Sequence, residues 1–265
     1  MTTAPYVLRD SATMLRRNLR HMARYPSMTV MLVGQPLLFL LLFTYVFGGT
    51  MSAGLPGPAA GGDRAGYLTY LTPGILTMTV ASVSIGTAVL VANDMTDGII
   101  DRFRTMPIAK SSVLTGHVLA ALIQTALALT AVGATAFALG LRTDASAAQW
   151  AALAGLLGLL SYALTWFTVA LGLASPDPET ASNLPMVFVL LPFVGSGFVP
   201  VDSMPAGLRW FAAHQPFTPV MDLIRGLLAG SPDGADAAWA VGWCAVVGAV
   251  GYLWSRRLYR TRAAT

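Results

Sequence analysis

Few side chains in this sequence could perform catalysis. Lys110 is the only lysine, and the segment around it, M-P-I-A-K-S-S, lacks the glycines of a phosphate-binding loop. The only glutamate, Glu179, has no histidine near it, although a membrane metalloprotease would need the pattern H-E-x-x-H. Ser196 lies in F-V-G-S-G-F, but Val194 occupies the first glycine position of the intramembrane serine protease pattern G-x-S-G. We therefore predict that the chain is not an enzyme and that any ATP is used on a partner.

Metal binding and proton transfer have equally few candidate residues. Cys244 is the only cysteine, which excludes an intrachain disulfide and a multi-cysteine metal site. His117 is the only clear ionisable candidate inside a predicted span, and a histidine there is more often at the interface or hydrogen-bonded to a neighbour than part of a proton relay. We predict a packing role for Cys244 and no metal site, and the case for an ion-coupled carrier is weak.

Charged side chains cluster most closely in residues 93–112, N-D-M-T-D-G-I-I-D-R-F-R-T-M-P-I-A-K-S-S. A short helix from Asp97, closed by Pro107, would have one apolar face and one charged face. The apolar face comprises Ile99, Phe103 and Met106, and the charged face comprises Asp97, Asp101 and Arg104. An apolar knob with a charged rim is suited to docking in a groove on another protein. The alternative is a solvated connector that lies flat on the membrane.

The elements that must position this loop are membrane spans. Composition indicates a membrane protein, because 55% of the residues are hydrophobic and only 11% are charged. Six stretches without Asp, Glu, Lys or Arg are each long enough to cross about 30 Å of hydrocarbon. The predicted fold is all-α and polytopic, with spans Met28–Phe47, Tyr67–Ala92, Ser111–Leu139, Trp150–Ala174, Leu184–Val201 and Ala237–Trp254. The chain is treated as one domain, 1–265, with a membrane region 28–254 and a basic tail 255–265.

The arginines and the single lysine predict the orientation. Twelve of these sixteen residues fall in the N-terminal segment, the loop between spans two and three, and the tail, whereas four fall in the other segments. Because cytoplasmic segments carry the excess of positive charge, both termini are expected in the cytoplasm.

The N-terminal segment, 1–26, is expected to form an amphipathic helix in the headgroup layer. Its apolar stripe comprises Leu8, Ala12, Leu15, Leu19 and Met22. The remaining face carries Arg9, Arg16, Arg17, Arg20 and Arg24, directed toward anionic lipid. This helix either anchors the chain only or also touches a cytoplasmic partner.

Span five is expected to be kinked or partly unwound. Pro185, Pro192 and Pro200 each remove a backbone donor, and Gly195-Ser196-Gly197 adds flexibility. After it, two short helices, about Pro205–Ala213 and Pro219–Leu228, should lie in or dip into the outer interface. Asp222 and Arg225 are three residues apart and can pair on the second of these helices.

The order of these motifs resembles the permease subunits of type 2 ABC exporters, particularly the daunorubicin-resistance branch. The resemblance covers essentially the whole chain. It rests on D-G-x-x-x-R-x-R-x-x-P-I at Asp97 to Ile108, L-x-G-H at Leu114 to His117, and F-V-P-x-x-x-M-P at Phe198 to Pro205. It implies an ABC ATPase subunit that binds ATP and Mg²⁺, and a second permease, identical or homologous. It also implies that the loop seats a coupling helix on the ATPase, with Asp97, Asp101, Arg102, Phe103 and Arg104 as coupling residues.

The family's transport path runs between two permeases, bounded largely by helices one, two and five. Carried onto this sequence, the resemblance makes seven residues path candidates: Gln35, Phe39, Phe43, Tyr70, Met78, Phe188 and Phe193. Pro192, Gly195 and Gly197 become candidates for gating by bending of span five.

The leading hypothesis is a permease that exports an amphipathic, largely apolar compound, such as an antibiotic or a lipid-like metabolite, across the bacterial cell membrane. The alternatives are export of a lipid or glycan carrier, and a membrane scaffold without transport.

Cysteine labelling tests the predicted orientation. In a Cys244→Ser background, single cysteines at Ser111 and Thr265 should be shielded from an impermeant thiol reagent in intact cells, because both positions are expected on the cytoplasmic side. A cysteine at Ala59, in the loop after the first span, should react. Labelling at Thr265 from outside would reverse the orientation.

Overall fold

A computed structural model describes residues 4–24, 26–51, 64–99 and 110–261. Every secondary-structure element in these ranges is helical, in agreement with the predicted all-α class. The elements in chain order are α1 Ala4–Arg24, α2 Pro26–Leu42, a π-helical turn Phe43–Phe47, α3 Gly48–Met51, α4 Arg64–Thr96, α5 Lys110–Ala138, α6 Ala147–Ala174, α7 Pro178–Asn183, α8 Met186–Leu190, the 3-10 turns Leu191–Val194 and Val201–Ser203, α9 Ala206–His214, α10 Phe217–Leu228 and α11 Gly234–Thr261.

Five helical stretches in the described ranges are long and apolar enough to cross a membrane. They are Val30–Thr50, Arg64–Thr96, Ser112–Ala138, Ala147–Ala174 and Gly234–Thr261. These correspond to the first four predicted spans and the last one. The last helix continues to Thr261, so the first residues of the predicted basic tail are helical rather than a separate segment.

The predicted span Leu184–Val201 is not a continuous helix. It comprises the short helix α8 and a 3-10 turn, and the chain after Val194 has no regular helix until Val201. Pro185 precedes α8, and Pro192 lies inside the 3-10 turn, where neither has an N–H to donate to a helix. The predicted unwinding is therefore confirmed. Residues 178–203, called the fifth segment below, contain short helices and turns in place of the regular helix expected for span five.

The fifth segment runs alongside α4. Near its start, Ala181 packs against Ala88 and Ala92 of α4. Near its other end, Gly197 lies against Gly74 of α4, and a Cβ added at Gly74 would come within 2.8 Å of the Gly197 carbonyl oxygen. Gly74 and Ala88 are about 21 Å apart along a helix that rises 1.5 Å per residue. The segment therefore runs beside α4 for about 21 Å.

Helix α4 is the centre of the molecule, since most of its residues are buried. Several of its buried hydroxyl groups donate to carbonyl oxygens one turn earlier on the same helix. Thr72 donates to Leu68, Thr79 to Ile75, and Ser84 to Val80, at 2.7 to 2.9 Å. Polar side chains in an apolar environment need such partners. The buried hydroxyl of Ser82 is an exception, since it has no hydrogen-bond partner among the described residues.

Small residues allow the long helices to approach closely. A Cβ added at Gly172 of α6 would meet the Ala88 carbonyl oxygen of α4 at 2.5 Å. A Cβ added at Gly251 of α11 would meet the backbone N of Phe167 in α6 at 2.5 Å. In lipid, helices associate through such packing rather than through the hydrophobic effect. The α4–α6–α11 assembly therefore depends on the absence of side chains at these glycines.

The two helices predicted after span five are present as α9 and α10. Helix α9 exposes Trp210 and Phe211, as expected for an interfacial helix. Helix α10 is different, because Val220, Met221 and Ile224 are buried in the main core. Its C-terminal carbonyl at Leu228 accepts a hydrogen bond from the Thr143 hydroxyl at 2.7 Å. The apolar face of α10 therefore packs inside the bundle, and the position of α10 in or near the outer interface stays a prediction.

Helix α1 ends before Pro26, as predicted, but it uses a face that the sequence did not reveal. Ser11, Met14 and Asn18 are buried, and Met14 packs directly on Gly116 of α5. Of the predicted apolar stripe, Ala12 is exposed, whereas Leu15, Leu19 and Met22 are half-buried. A third face, between the apolar stripe and the arginines, thus joins α1 to the bundle.

The glycine packing on α11 predicts the effect of one added methyl group. Gly251→Ala should lower stability by about 1–3 kcal/mol, because the backbone of Phe167 cannot move without shifting α6. Gly242→Ala on the same helix is the control, since a Cβ there meets nothing within 4 Å. Melting temperatures of both variants in detergent give the comparison, and equal values would contradict the close α6–α11 contact.

Candidate functional site

Three of the predicted path residues come together in an aromatic cluster. Phe39 and Phe43 are four residues apart on α2 and its π-helical turn, so their rings share one face. Both contact Phe193 of the fifth segment, with ring centroids 5.6 and 6.3 Å away. Phe198 completes the group, stacked on Phe193 at 4.2 Å and 4.9 Å from Phe43. The cluster of these four rings joins α2 to the unwound part of the fifth segment.

The other four path candidates are not among these four rings. Gln35 is exposed on α2, one turn before the first ring of the cluster. Tyr70 is half-buried on α4, and Met78 is completely buried inside the core. Phe188 on α8 packs against Phe167 and Phe217. Tyr70 and Phe188 pack against the same core cluster as the aromatic rings, and the role of all seven residues in a path stays a prediction.

A polar cluster, named here the Arg225 cluster, lies beside the fifth segment. The Arg225 guanidinium pairs with Asp222 one turn earlier, as predicted, and donates to the Ser196 carbonyl oxygen at 2.6 Å. The Ser196 hydroxyl donates to Asp222 at 2.7 Å. The guanidinium also lies 4.3 Å from the ring centroid of Tyr70. The cluster thus supplies partners to backbone that has left the helix.

Gly195 and Gly197, which were predicted to permit bending, lie where neighbouring atoms leave no room for a side chain. A Cβ at Gly195 would overlap the side-chain amide of Gln215 and would lie 2.7 Å from Met221 Cε. A Cβ at Gly197 would lie 2.7 Å from Met221 Sδ and 3.0 Å from Gly74 Cα. Neither glycine has a positive φ. Packing rather than backbone conformation therefore requires glycine here, and gating by Pro192, Gly195 and Gly197 stays a prediction.

The coupling loop is described only at its first residues. Asp97 and Gly98 form the turn that ends α4, with the Gly98 N–H bonded to the Met95 carbonyl and φ at +67°. The predicted helix therefore does not begin at Asp97. Four of the predicted coupling residues lie outside the described residues: Asp101, Arg102, Phe103 and Arg104.

A second polar cluster, named here the Asp94 cluster, lies at the base of the coupling loop. Arg17 of α1 donates to both carboxylate oxygens of Asp94, at 2.7 and 2.9 Å. His117 Nε2 of α5 lies 3.1 Å from Asp94 Oδ2. The hydrogen bonds to Asp94 raise the pKa of Arg17 above its usual value. Asp94 and His117 are both buried, so the cluster joins three helices inside the protein.

Sequence reasoning missed this cluster. It placed Arg17 on the lipid-facing side of α1 and used Asp94 only to mark the end of a span. The prediction that His117 bonds to a neighbour is confirmed. The available signal was an aspartate in the last turn of an apolar helix, which needs a basic partner when it is buried.

Comparison with known proteins decides the family. Residues 10–229 match the ABC-2 type transporter family. The chain belongs to this family.

Relatives with descriptive names are drug-resistance permeases. The chain is 28% identical over 254 residues to the daunorubicin resistance ABC transporter permease protein DrrB1 of Streptomyces coeruleorubidus, covering 95% of this chain and 86% of that protein. It is 26% identical over 165 residues to a probable doxorubicin resistance ABC transporter permease protein DrrC of Mycobacterium tuberculosis, covering 58% of this chain and 59% of that protein. This ABC-2 chain is therefore a permease homologous to drug-resistance permeases, which are not themselves catalytic.

The close contact of the fifth segment with α4 predicts that Gly197→Ala destabilises this ABC-2 permease. The added methyl group would displace Met221 and the Gly74 backbone, at a cost of about 1–3 kcal/mol. Gly207→Ala in α9 is the control, because a Cβ there meets nothing within 4 Å. The melting temperature and the yield of folded protein provide the measurement. A Gly197→Ala protein as stable as the control would show that the segment is free to move away from α4.

Proposed function

We propose that the chain is the permease subunit of an ATP-driven exporter. It moves an amphipathic, largely apolar compound, such as an antibiotic or a lipid-like metabolite, out of the bacterial cell. The observation that carries this proposal is the match over 95% of the chain to a daunorubicin resistance permease. ATP and Mg²⁺ bind on a separate ATP-binding-cassette subunit, and this chain holds no cofactor.

The aromatic cluster supports an apolar cargo. Phe39, Phe43 and Phe193 are half-buried, so part of each ring remains available for contact. Aromatic rings offer large apolar surfaces with little conformational freedom to lose, which suits flat or lipid-like molecules. The cluster also lies where α2 meets the unwound backbone of the fifth segment. This position allows a change in the fifth segment to alter the surface that the cargo meets.

A second permease, identical or homologous, is the proposed partner at α2. Much of this helix is uncovered by the rest of the chain, since Val30, Met31 and Leu38 are 67%, 74% and 69% exposed. The same helix carries Gln35 and the first two rings of the aromatic cluster. Two permeases that meet along this side would enclose the candidate path between them.

Six crossings and cytoplasmic termini are part of the proposal. The fifth segment runs beside α4 for about 21 Å, a length that supports a sixth crossing with broken helical structure. An even number of crossings returns the chain to its starting side. Both termini then lie on the same side of the membrane, and the excess of arginine near them favours the cytoplasmic side.

The proposed cycle begins at the coupling loop. ATP binding draws the ATPase subunits together and moves the loop seated on them. The permease pair then shifts from a state open to the cytoplasm to one open to the outside, because the ATP-bound partner has the higher affinity for the second state. Export then results from differential affinity and not from chemistry within this chain.

Reconstitution tests the proposed function. The chain and a candidate ATP-binding-cassette protein, sought first in the neighbouring reading frames, would be placed together in lipid vesicles. With the ATPase on the outer face of the vesicles, a fluorescent, apolar, cationic dye should move from the medium into the lumen only when hydrolysable ATP is present. The dye should also stimulate ATP hydrolysis. Binding of the ATPase without dye transport or stimulation would favour a scaffold. Transport of labelled lipid or a glycan carrier without dye transport would favour the other export alternative.

Two substitutions in the coupling loop should uncouple the exporter. Phe103→Ala removes the proposed apolar knob and Arg104→Glu inverts its charged rim, so export should fall severalfold while expression remains normal. The controls are Phe137→Ala and Arg142→Glu. Both positions are exposed, Phe137 near the C-terminal end of α5 and Arg142 in the segment that follows this helix. Export and dye-stimulated ATPase activity are measured together. If both loop variants retain full export and full ATPase stimulation, the loop is only a connector between α4 and α5.

A further inference from the structure

Both ends of the coupling loop are tied to one carboxylate. The loop, residues 97–109, leaves α4 after Thr96 and enters α5 at Lys110. Asp94 lies in the last turn of α4 and contacts His117, in the second turn of α5, at 3.1 Å. The contact therefore joins the two helices that carry the loop, close to where each of them meets it.

The same carboxylate also binds the amphipathic helix. Arg17 donates to Asp94 through both terminal nitrogens, at 2.7 and 2.9 Å. A bidentate pair fixes the orientation of both groups as well as their distance. The Arg17 side chain is 36% exposed, whereas the Asp94 side chain is only 10% exposed. The arginine thus reaches from the surface of α1 into the base of the loop.

Close packing reinforces the charged contact. A Cβ added at Gly116, the residue before His117, would lie 2.5 Å from Met14 Cβ and 3.3 Å from the Met14 carbonyl carbon. Helix α1 therefore rests on the backbone of α5 beside the Asp94 cluster. A shift of α1 toward α5 is blocked by this contact. A shift of α1 away from α4 would break the bidentate pair of Arg17 and Asp94.

Separation of these helices would be costly. Removing the partner of a buried charge leaves it uncompensated, and a buried carboxylate without its cation is strongly unfavourable. Asn18 and Asn93 lie beside the pair and line the same cavity of about 290 Å³. The charged pair therefore lies at the wall of a cavity between the helices rather than in a close-packed apolar contact.

We propose that Arg17, Asp94 and His117 form a clamp that makes α1, α4 and α5 move as one body when the coupling loop is displaced. The three are positioning residues, because none of them needs to touch cargo or nucleotide. The inference rests on the proposed function for the meaning of the movement. It adds that α1 helps to transmit the movement of the ATPase to α4, which also contacts the fifth segment.

A mutational cycle tests the charged part of the clamp. Arg17→Gln and Asp94→Asn should each lower export per ATP hydrolysed by about five- to tenfold, the range of a modest coupling free energy. The double variant should show about the same loss as Asp94→Asn alone, because Asp94 contacts both Arg17 and His117 and its substitution already affects the contact that Arg17→Gln removes. Arg16→Gln is the matched control, since it removes the same charge from an exposed neighbour. Additive losses would overturn the clamp.

A steric variant tests the same clamp without changing any charge. Gly116→Ala should push α1 away from α5 and reproduce the loss of coupling, whereas Gly133→Ala on the same helix meets nothing within 4 Å and should be silent. Melting temperatures accompany both, so that simple unfolding is recognised. A folded Gly116→Ala protein with normal coupling would contradict the proposed rigid contact.

Cross-linking tests whether α1 and α4 stay together during the transport cycle or must separate. In a Cys244→Ser background, Asn18→Cys and Asn93→Cys are joined by a short bifunctional thiol reagent. If the clamp stays closed throughout the cycle, the cross-linked permease retains export. Loss of export on cross-linking would show that α1 and α4 must separate, which overturns the proposal.

Hydrogen exchange makes the clamp testable apart from transport. Arg17→Gln should increase amide exchange in α1 relative to Arg16→Gln in the permease alone, and equal exchange would overturn the clamp. If the wild-type permease and its ATPase show no ATP-driven export, the proposed function fails, whereas the exchange result still decides whether the three helices are held together.

Discussion

Every backbone N–H and C=O in hydrocarbon must find a partner within the protein, and this constraint shapes the fifth segment. Its prolines prevent a continuous helix, so carbonyl groups are left without intrahelical donors. Side chains from the following hairpin supply them: Gln215 donates to the Leu191 carbonyl at 3.0 Å, and Arg225 donates to the Ser196 carbonyl at 2.6 Å. Arg225 lies on α10 and Gln215 lies just before it, so the packing of α10 against the core holds both donors beside the unwound backbone.

Helix α4 connects this region to the coupling loop. It carries Tyr70 of the Arg225 cluster near one end and Asp94 near the other, about 36 Å apart at 1.5 Å per residue. Along its length it contacts the fifth segment through Gly74 and α6 through Ala88, at distances that leave no room for a methyl group. Pro73 lies inside α4 between these two residues and removes one helical N–H donor, but the helix is assigned without a break from Arg64 to Thr96. The two polar clusters are therefore carried by one helix, and no direct contact joins them among the described residues.

The fold was largely predictable because it depends on local patterns. Long uncharged stretches gave the five regular spans, and the prolines of the fifth segment gave its unwinding. The pair Asp222–Arg225 was predictable from its spacing of three residues. The bond between Arg17 and Asp94 was not, since 77 residues separate them and the period of α1 gives no partner for any one arginine. The need for glycine at Gly197 was likewise hidden, because the bulk of Met221 and the backbone of Gly74 cause it.

Two kinds of contact hold the fifth segment, and they differ in what a movement would cost. Toward α4 the segment presents Gly197, whose backbone meets backbone, so even a small approach would produce overlap. Toward α2 it presents Phe193 and Phe198, whose rings meet Phe39 and Phe43 at angles between 44° and 65°. Ring contacts of this kind have broad minima and tolerate several arrangements. The aromatic side is thus the one on which helices can shift at low cost, and it is also the side on which the chain leaves α2 uncovered.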